Sequence, residues 1–146
     1  MKYRKAVFIV AYAKTKKGIE YLILKRKLHW KGWEFPKGAI NFLESKKAAV
    51  KRELFEETGL APIKIKKFDY SGKYDYDKIF PERPKIKGQT FSLYGVEIKK
   101  AKIRIDKHEH LTSEWVNFEK ALKKLSFQNQ KKALKIIHKW LKEKSN

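Results

Sequence analysis

Three glutamates, Glu53, Glu56 and Glu57, fall on one face of a segment whose two ends are both marked for a helix. Ser45 is placed to cap its start, Gly59 suits the position just past its end near Thr58, and Pro62 prevents continuation. At ~100° per residue the three carboxylates share an arc of about 100°, with Ala49 among them and Val50 beside it. Like charges three and four residues apart cost an isolated helix roughly 0.2 to 0.5 kcal/mol per pair. Their place in the last turn also opposes the helix dipole, which favours cations there. Lysine is plentiful elsewhere: the chain has 37 Lys and Arg against 16 Asp and Glu, a net charge of +21, yet residues 38 to 60 carry four of each sign. A solvated surface helix would place Glu four residues before Lys, whereas Glu53 precedes Glu57, and Glu56 and Glu57 precede Leu60 and Ala61. A divalent cation relieves both penalties. The chain contains no cysteine, so its metal ligands are oxygen or nitrogen, which with clustered carboxylates favours a hard ion, Mg²⁺ or Mn²⁺.

A length of 146 residues fits one domain, 1–146, and 42% hydrophobic with 14% aromatic residues is enough for a packed core. The positive balance points to an anionic partner such as a nucleotide, RNA or a membrane surface. Lys outnumbers Arg 32 to 5, however, and lysine-rich composition also arises in thermophiles for reasons unrelated to ligands. No apolar run reaches the ~18 residues that cross a bilayer, so no membrane is expected as partner. Ala6–Ala13 is short and runs into lysines without a cleavage pattern; a cytoplasmic protein is the expectation. Nothing in the sequence calls for an obligate protein partner.

Ala6–Ala13 and Tyr21–Leu24 read as strands joined by a turn at Lys14–Gly18. His29–Gly38, with two Trp, two Gly and a Pro, reads as irregular. Ile63, Ile65 and Phe68 alternate with lysines in strand fashion, Gln89–Ile98 is a longer strand, and Asp69–Gly88 between them is expected to be a long polar loop. Ile103 with Ile105, and Glu114–Val116, suggest short strands. Ala133, Leu134, Ile137, Trp140 and Leu141 are spaced for an amphipathic helix.

Gly38, Glu44, Arg52, Glu53, Leu54, Glu56, Glu57, Gly59 and Leu60 match all nine fixed positions of the Nudix box across residues 38–60, and the chain thereby resembles the Nudix hydrolases. Trp33, Phe35, Pro36 and Lys37 are similar to the segment that leads into the box. Arg83–Glu97, Ile103–Trp115 with its His108-Glu109-His110, and the stretch from Phe118 through Phe127 to Trp140 resemble the asymmetrical diadenosine tetraphosphate hydrolase branch. The resemblance implies an α/β (α+β) fold, an α/β/α sandwich with a mixed central sheet and a loop–helix–loop metal site. It implies hydrolysis of diadenosine tetraphosphate to ATP and AMP. Glu56 and Glu57 would ligate the metal, with Glu53, the Gly38 carbonyl and Glu109 completing the set; Glu109 alone would otherwise read as an ordinary loop carboxylate. Two departures stand out: Asn41-Phe42-Leu43 replaces a common Pro-Gly turn, and Ala39 replaces a His frequent in animal members.

Such an enzyme offsets the charge of the polyphosphate and positions a water for in-line attack. Glu53 and Glu57 are both candidates to take the proton from that water, and Arg52 would orient the carboxylates. Lys37, beside Gly38, is a candidate phosphate contact, as are Lys85 and Lys87 at the foot of the long loop. Tyr74, Tyr76 and Phe127 are candidates to stack on adenine, a contact worth ~1 to 3 kcal/mol per base. His29, His108, His110 and Trp140 read as structural or solvated. The alternatives are pyrophosphate removal from an RNA 5′ end, hydrolysis of another nucleoside diphosphate derivative, and a nucleic-acid-binding module without catalysis.

Overall fold

The computed structural model describes residues 2–144. The chain runs β1 (Lys2–Thr15), β2 (Gly18–Arg26), β3 (Gly32–Glu34), β4 (Lys37–Ala39), α1 (Lys46–Thr58), β5 (Lys64–Asp75), β6 (Ile86–Glu97), β7 (His110–Val116), α2 (Phe118–Lys124) and α3 (Gln128–Lys144). Every residue from Ala6 to Ala13 is buried, the signature of a strand covered on both faces. With side chains alternating along β1, Phe8, Val10 and Tyr12 enter one core, shared with Ala133, Leu134, Ile137 and Leu141 of α3. Val7, Ile9 and Ala11 enter a second core on the other face, shared with Ala49, Val50 and Leu54 of α1. The result is an α/β/α sandwich around a mixed sheet.

The sheet order is β3-β2-β1-β6-β5, with β4 added to β1 and β7 to β2; β1 and β6 run parallel and the other pairs antiparallel. The way β1 and β2 part creates the site. They pair only from Tyr12 to Thr15 and Gly18 to Tyr21. Beyond that, β4 takes the place beside β1 at Ala6–Phe8, and β3 the place beside β2 at Leu24–Arg26. Glu34, Lys37 and Gly38 therefore stand where the sheet splays, next to α1.

Several sequence expectations are corrected. His29–Gly38 is not wholly irregular, because β3 and β4 form where backbone from the split sheet is left to pair. Much of Asp69–Gly88 is strand: β5 continues to Asp75, opposite β6, past a register shift between Phe68 and Ser71, leaving only 76–85 outside strands. Polar residues fill its exposed side and conceal the alternation. Ile103 and Ile105 form no strand; they lie partly buried over the second core, with Arg104 N–H bonded to the Thr58 carbonyl. The helix α2, capped by Asn117, was not anticipated.

Candidate active site

Ser45 Oγ accepts from Ala48 N–H, fixing the start of α1, and Gly59 ends it at φ 77°, its N–H donating to the Phe55 carbonyl at 2.8 Å. This left-handed position favours glycine. The helix is thereby set with its carboxylates toward the splay in the sheet. Glu53 and β4 are in direct apposition: a Cβ on Gly38 would stand 1.9 Å from Glu53 Cδ. Any side chain at this position forces the Glu53 carboxylate or β4 to shift.

Arg52 holds the acidic face together. Its Nε and Nη2 donate to Glu44 at 2.8 and 2.9 Å, Nη2 also donates to the Ala39 carbonyl at 2.8 Å, and Nη1 donates to Glu53 at 2.7 Å. Glu56, about half exposed, receives a longer bond of 3.3 Å. Hydrogen bonds from Arg52 hold the Glu44 carboxyl down at about 2. Burial pushes Glu53 up to about 6, against the pull of Arg52. Glu57 is pushed further above the ordinary carboxylate range, first by burial and then by the charges of Glu34, Glu53 and Glu109. Its Oε2 accepts from Lys37 N–H at 3.2 Å, while its Oε1 is buried without a partner.

Behind this face lies a buried ionic group that sequence reasoning missed. Glu34 is fully buried and accepts from His110 Nε2 at 2.7 Å and Arg26 Nη1 at 3.3 Å, with the Lys37 ammonium 3.4 Å away. Burial alone would raise its carboxyl, but Lys37, His110 and Arg26 outweigh that and leave it at about 2. Arg26 also reaches to within 3.6 Å of Glu109. Arg26 and Lys37 thus both meet Glu34, and Arg26 links it to Glu109, 75 positions away in the chain. A faint signal existed: Glu34 is one of only two acids in the first 37 residues.

The donor set fits a divalent cation. Glu57, Glu109 and His110 each bring a ligand atom within 4.8 Å of the others. The orphaned Glu57 Oε1 is a buried acceptor that lacks a donor, a costly state that a bound cation removes. Glu53, Glu56 and Gly38 line the same cleft.

That cleft encloses about 830 Å³ and brings together most of the residues singled out from sequence: Lys37, Gly38, Glu53, Glu56, Glu57, Tyr74, Tyr76, Glu109 and Phe127 all line it. Tyr74 and Tyr76 are tied to Gln89, whose amide donates to the Tyr74 hydroxyl at 3.0 Å and accepts from the Tyr76 hydroxyl at 3.1 Å. Phe127 meets Trp30 edge-on with ring centroids 4.7 Å apart. Lys85 and Lys87 do not line the cleft; Lys85 is exposed on the outside and Lys87 lies over the Tyr3 ring, 5.0 Å from its centroid. Arg4 and Arg83, to which the sequence assigned no role in binding, line it instead. His110 proves structural in its contact with Glu34, as read, although its place beside Glu57 and Glu109 was not foreseen.

The NUDIX domain model matches residues 2–138. The chain belongs to the Nudix family. An RNA pyrophosphohydrolase of a Nitratiruptor species is 36% identical over 104 residues, 69% of this chain and 67% of that protein. An 8-oxo-dGTP diphosphatase of Buchnera aphidicola is 36% identical over 72 residues, 43% of this chain and 54% of that protein. The binary complex of a C. elegans Ap4A hydrolase shares the fold with a TM-score of 0.77 at 22% identity, over 96% of this chain and 98% of that one. Within this Nudix chain, Arg52 and Glu44 account for two of the motif's fixed positions as a clamp on the carboxylates.

Proposed function

We propose that this Nudix hydrolase cleaves diadenosine tetraphosphate into ATP and AMP, using Mg²⁺ or Mn²⁺ held by Glu53, Glu56, Glu57, Glu109 and the Gly38 carbonyl. The observation that carries the reading is the layout of the cleft. Its carboxylates share one space with several aromatic rings: Trp30 meets Phe127, and His29 stacks on Phe80 at 4.1 Å with Tyr76 beside it. A substrate with a base at each end of a polyphosphate matches that arrangement. A Mg²⁺ or Mn²⁺ ion held by these residues would offset phosphate charge and lower the pKa of a bound water. Glu53 or Glu57 takes the proton as the water oxygen attacks phosphorus, and the anhydride bond opposite breaks, its electron pair leaving with the departing nucleotide. Lys37, paired with Glu34 at 3.4 Å, would contact a phosphate oxygen. Tyr74, Tyr76 and Phe127 offer rings to the bases.

Pyrophosphate removal from a triphosphorylated RNA 5′ end is the second reading, favoured by the 36% identity to an RNA pyrophosphohydrolase. Product analysis with purified protein and Mg²⁺ tests both. Equimolar ATP and AMP from the dinucleotide support the first reading; ADP as the product overturns it, and faster turnover of triphosphorylated RNA transfers the assignment to the second.

A further inference from the structure

Arg4 and Arg83 both line the cleft, and among the described residues neither enters an ion pair. They are two of only five arginines in a chain that otherwise uses lysine for its positive charge. Arg4 sits on β1 opposite Gln89 of β6, the residue that holds the hydroxyls of Tyr74 and Tyr76. Arg83 lies over two rings of the same wall, its guanidinium 5.6 Å from the centroid of Tyr76 and 5.2 Å from that of Phe80. Stacking fixes the plane of the fork and leaves its edge free to bond. Arg83 Nη1 is buried with no hydrogen-bond acceptor.

The two guanidiniums also feel each other. Arg4 is held below its ordinary range first by burial and then by the charge of Arg83, while a hydrogen bond with the Tyr76 hydroxyl and the charge of Glu53 pull the other way. The nearby acids are shared with other groups: Asp75 is engaged by the Tyr3 hydroxyl, and Glu82, which feels the charge of Arg83, is engaged by His29. Two mutually repelling guanidiniums with no direct ion pair gain from an anion in the cleft, and planar forks suit phosphate oxygens.

We propose that Arg4 and Arg83 form a second anion subsite, which grips a phosphate of the substrate other than the one under attack. The proposal rests on the polyphosphate reading of the cleft and extends it. The carboxylates with their cation take the scissile anhydride, and the arginine pair takes the far end of the phosphate chain, beside the Tyr76 and Phe80 rings. Arg4 and Arg83 thereby distinguish a long polyphosphate, or a nucleotide followed by a further phosphodiester, from a substrate with a single short chain.

Isothermal titration of the metal-free full chain with inorganic tripolyphosphate, at about 0.15 M salt to screen the general positive field, tests the subsite without reference to hydrolysis. Arg4→Gln and Arg83→Gln should each weaken binding about tenfold or more, while Lys16→Gln/Lys17→Gln on the β1–β2 turn changes it less than about twofold. Arg83→Lys, which keeps the charge and loses the planar fork, should recover only part of the loss. Each Gln variant should keep a Tm close to wild type, because the repulsion it removes offsets the ring or hydroxyl contact it loses. Binding within about twofold of wild type in either arginine variant, or an equal loss in the turn variant, overturns the subsite, as does a fall in Tm that accounts for the weakened binding. If the subsite holds and no nucleotide is hydrolysed, the catalytic reading alone has failed.

Discussion

Arg52 grips Glu44 through two parallel bonds of 2.8 and 2.9 Å, eight residues apart in sequence, and so ties the loop before α1 to the helix's carboxylate face. Glu44 is therefore an anchor for Arg52, which in turn holds Glu53 at 2.7 Å. Arg52→Gln removes the fork and leaves three carboxylates to repel one another. kcat should fall about 10- to 100-fold, the usual range for losing a residue that orients metal ligands. Arg52→Lys should recover little of this, since a point charge cannot make the bidentate contact. Steady-state kinetics of the two variants at saturating Mg²⁺ check the claim; a Lys variant as active as wild type would show that charge alone suffices.

The close passage of Gly38 against Glu53 gives a second prediction. Gly38→Ala places a methyl where the carboxylate stands, 1.9 Å from its carbon, so Glu53 or β4 must move. A displacement of this order costs about 100-fold in rate when it misplaces reacting groups. The variant should keep its fold, with Tm lowered by a few degrees, and lose most of its turnover. Retention of wild-type kcat would mean that Glu53 is not held in a productive position by this contact.

The carboxyl group of Glu53, raised from 4.5 to about 6, predicts a pH dependence in metal-free protein. A carboxyl whose folded value lies above its unfolded one contributes stability that is present below pH 4.5 and lost as pH rises through about 6. The loss amounts to about 2 kcal/mol for a shift of this size. Glu34, lowered to about 2, acts in the opposite sense, its contribution being lost as pH falls through about 2, outside this window. Urea denaturation of wild type and Glu53→Gln in EDTA, at pH 4.5 and 7, should show the wild type losing stability relative to the variant at the higher pH. Added Mg²⁺ should reverse the difference. Equal pH dependence in the two proteins would contradict a Glu53 carboxyl raised by burial despite its bond from Arg52.

The parts of the molecule that announce themselves in sequence are those whose signals are local. Ser45, Gly59 and the spacing of Glu53, Glu56 and Glu57 lie within one helix and its caps, so α1 and its acidic face were legible before any tertiary contact was known. Strand β5 was half hidden because its pairing with β6 is decided across a turn and its outer face is lysine and other polar residues. Ile103 and Ile105 mimic a strand yet serve as a lid on the second core. Glu34, Arg26 and His110 meet only because β2 is flanked by β3 and β7, and Arg4 reaches the cleft only because β1 lies beside β6. No spacing rule reports a contact made through sheet order.

The central claim is that the buried carboxylate face is hydrolytic machinery, and not the relic of one in a nucleic-acid-binding domain. Glu57 sits at its heart, with one oxygen held by the Lys37 amide and the other unpartnered. The most direct measurement is Mg²⁺-dependent turnover of diadenosine tetraphosphate by wild type and Glu57→Gln, an isosteric change that removes the charge. Wild type should yield ATP and AMP, and the variant should lose about 1,000-fold or more of its turnover, comparable to removing a major transition-state contact. Equal turnover by the two proteins would contradict it.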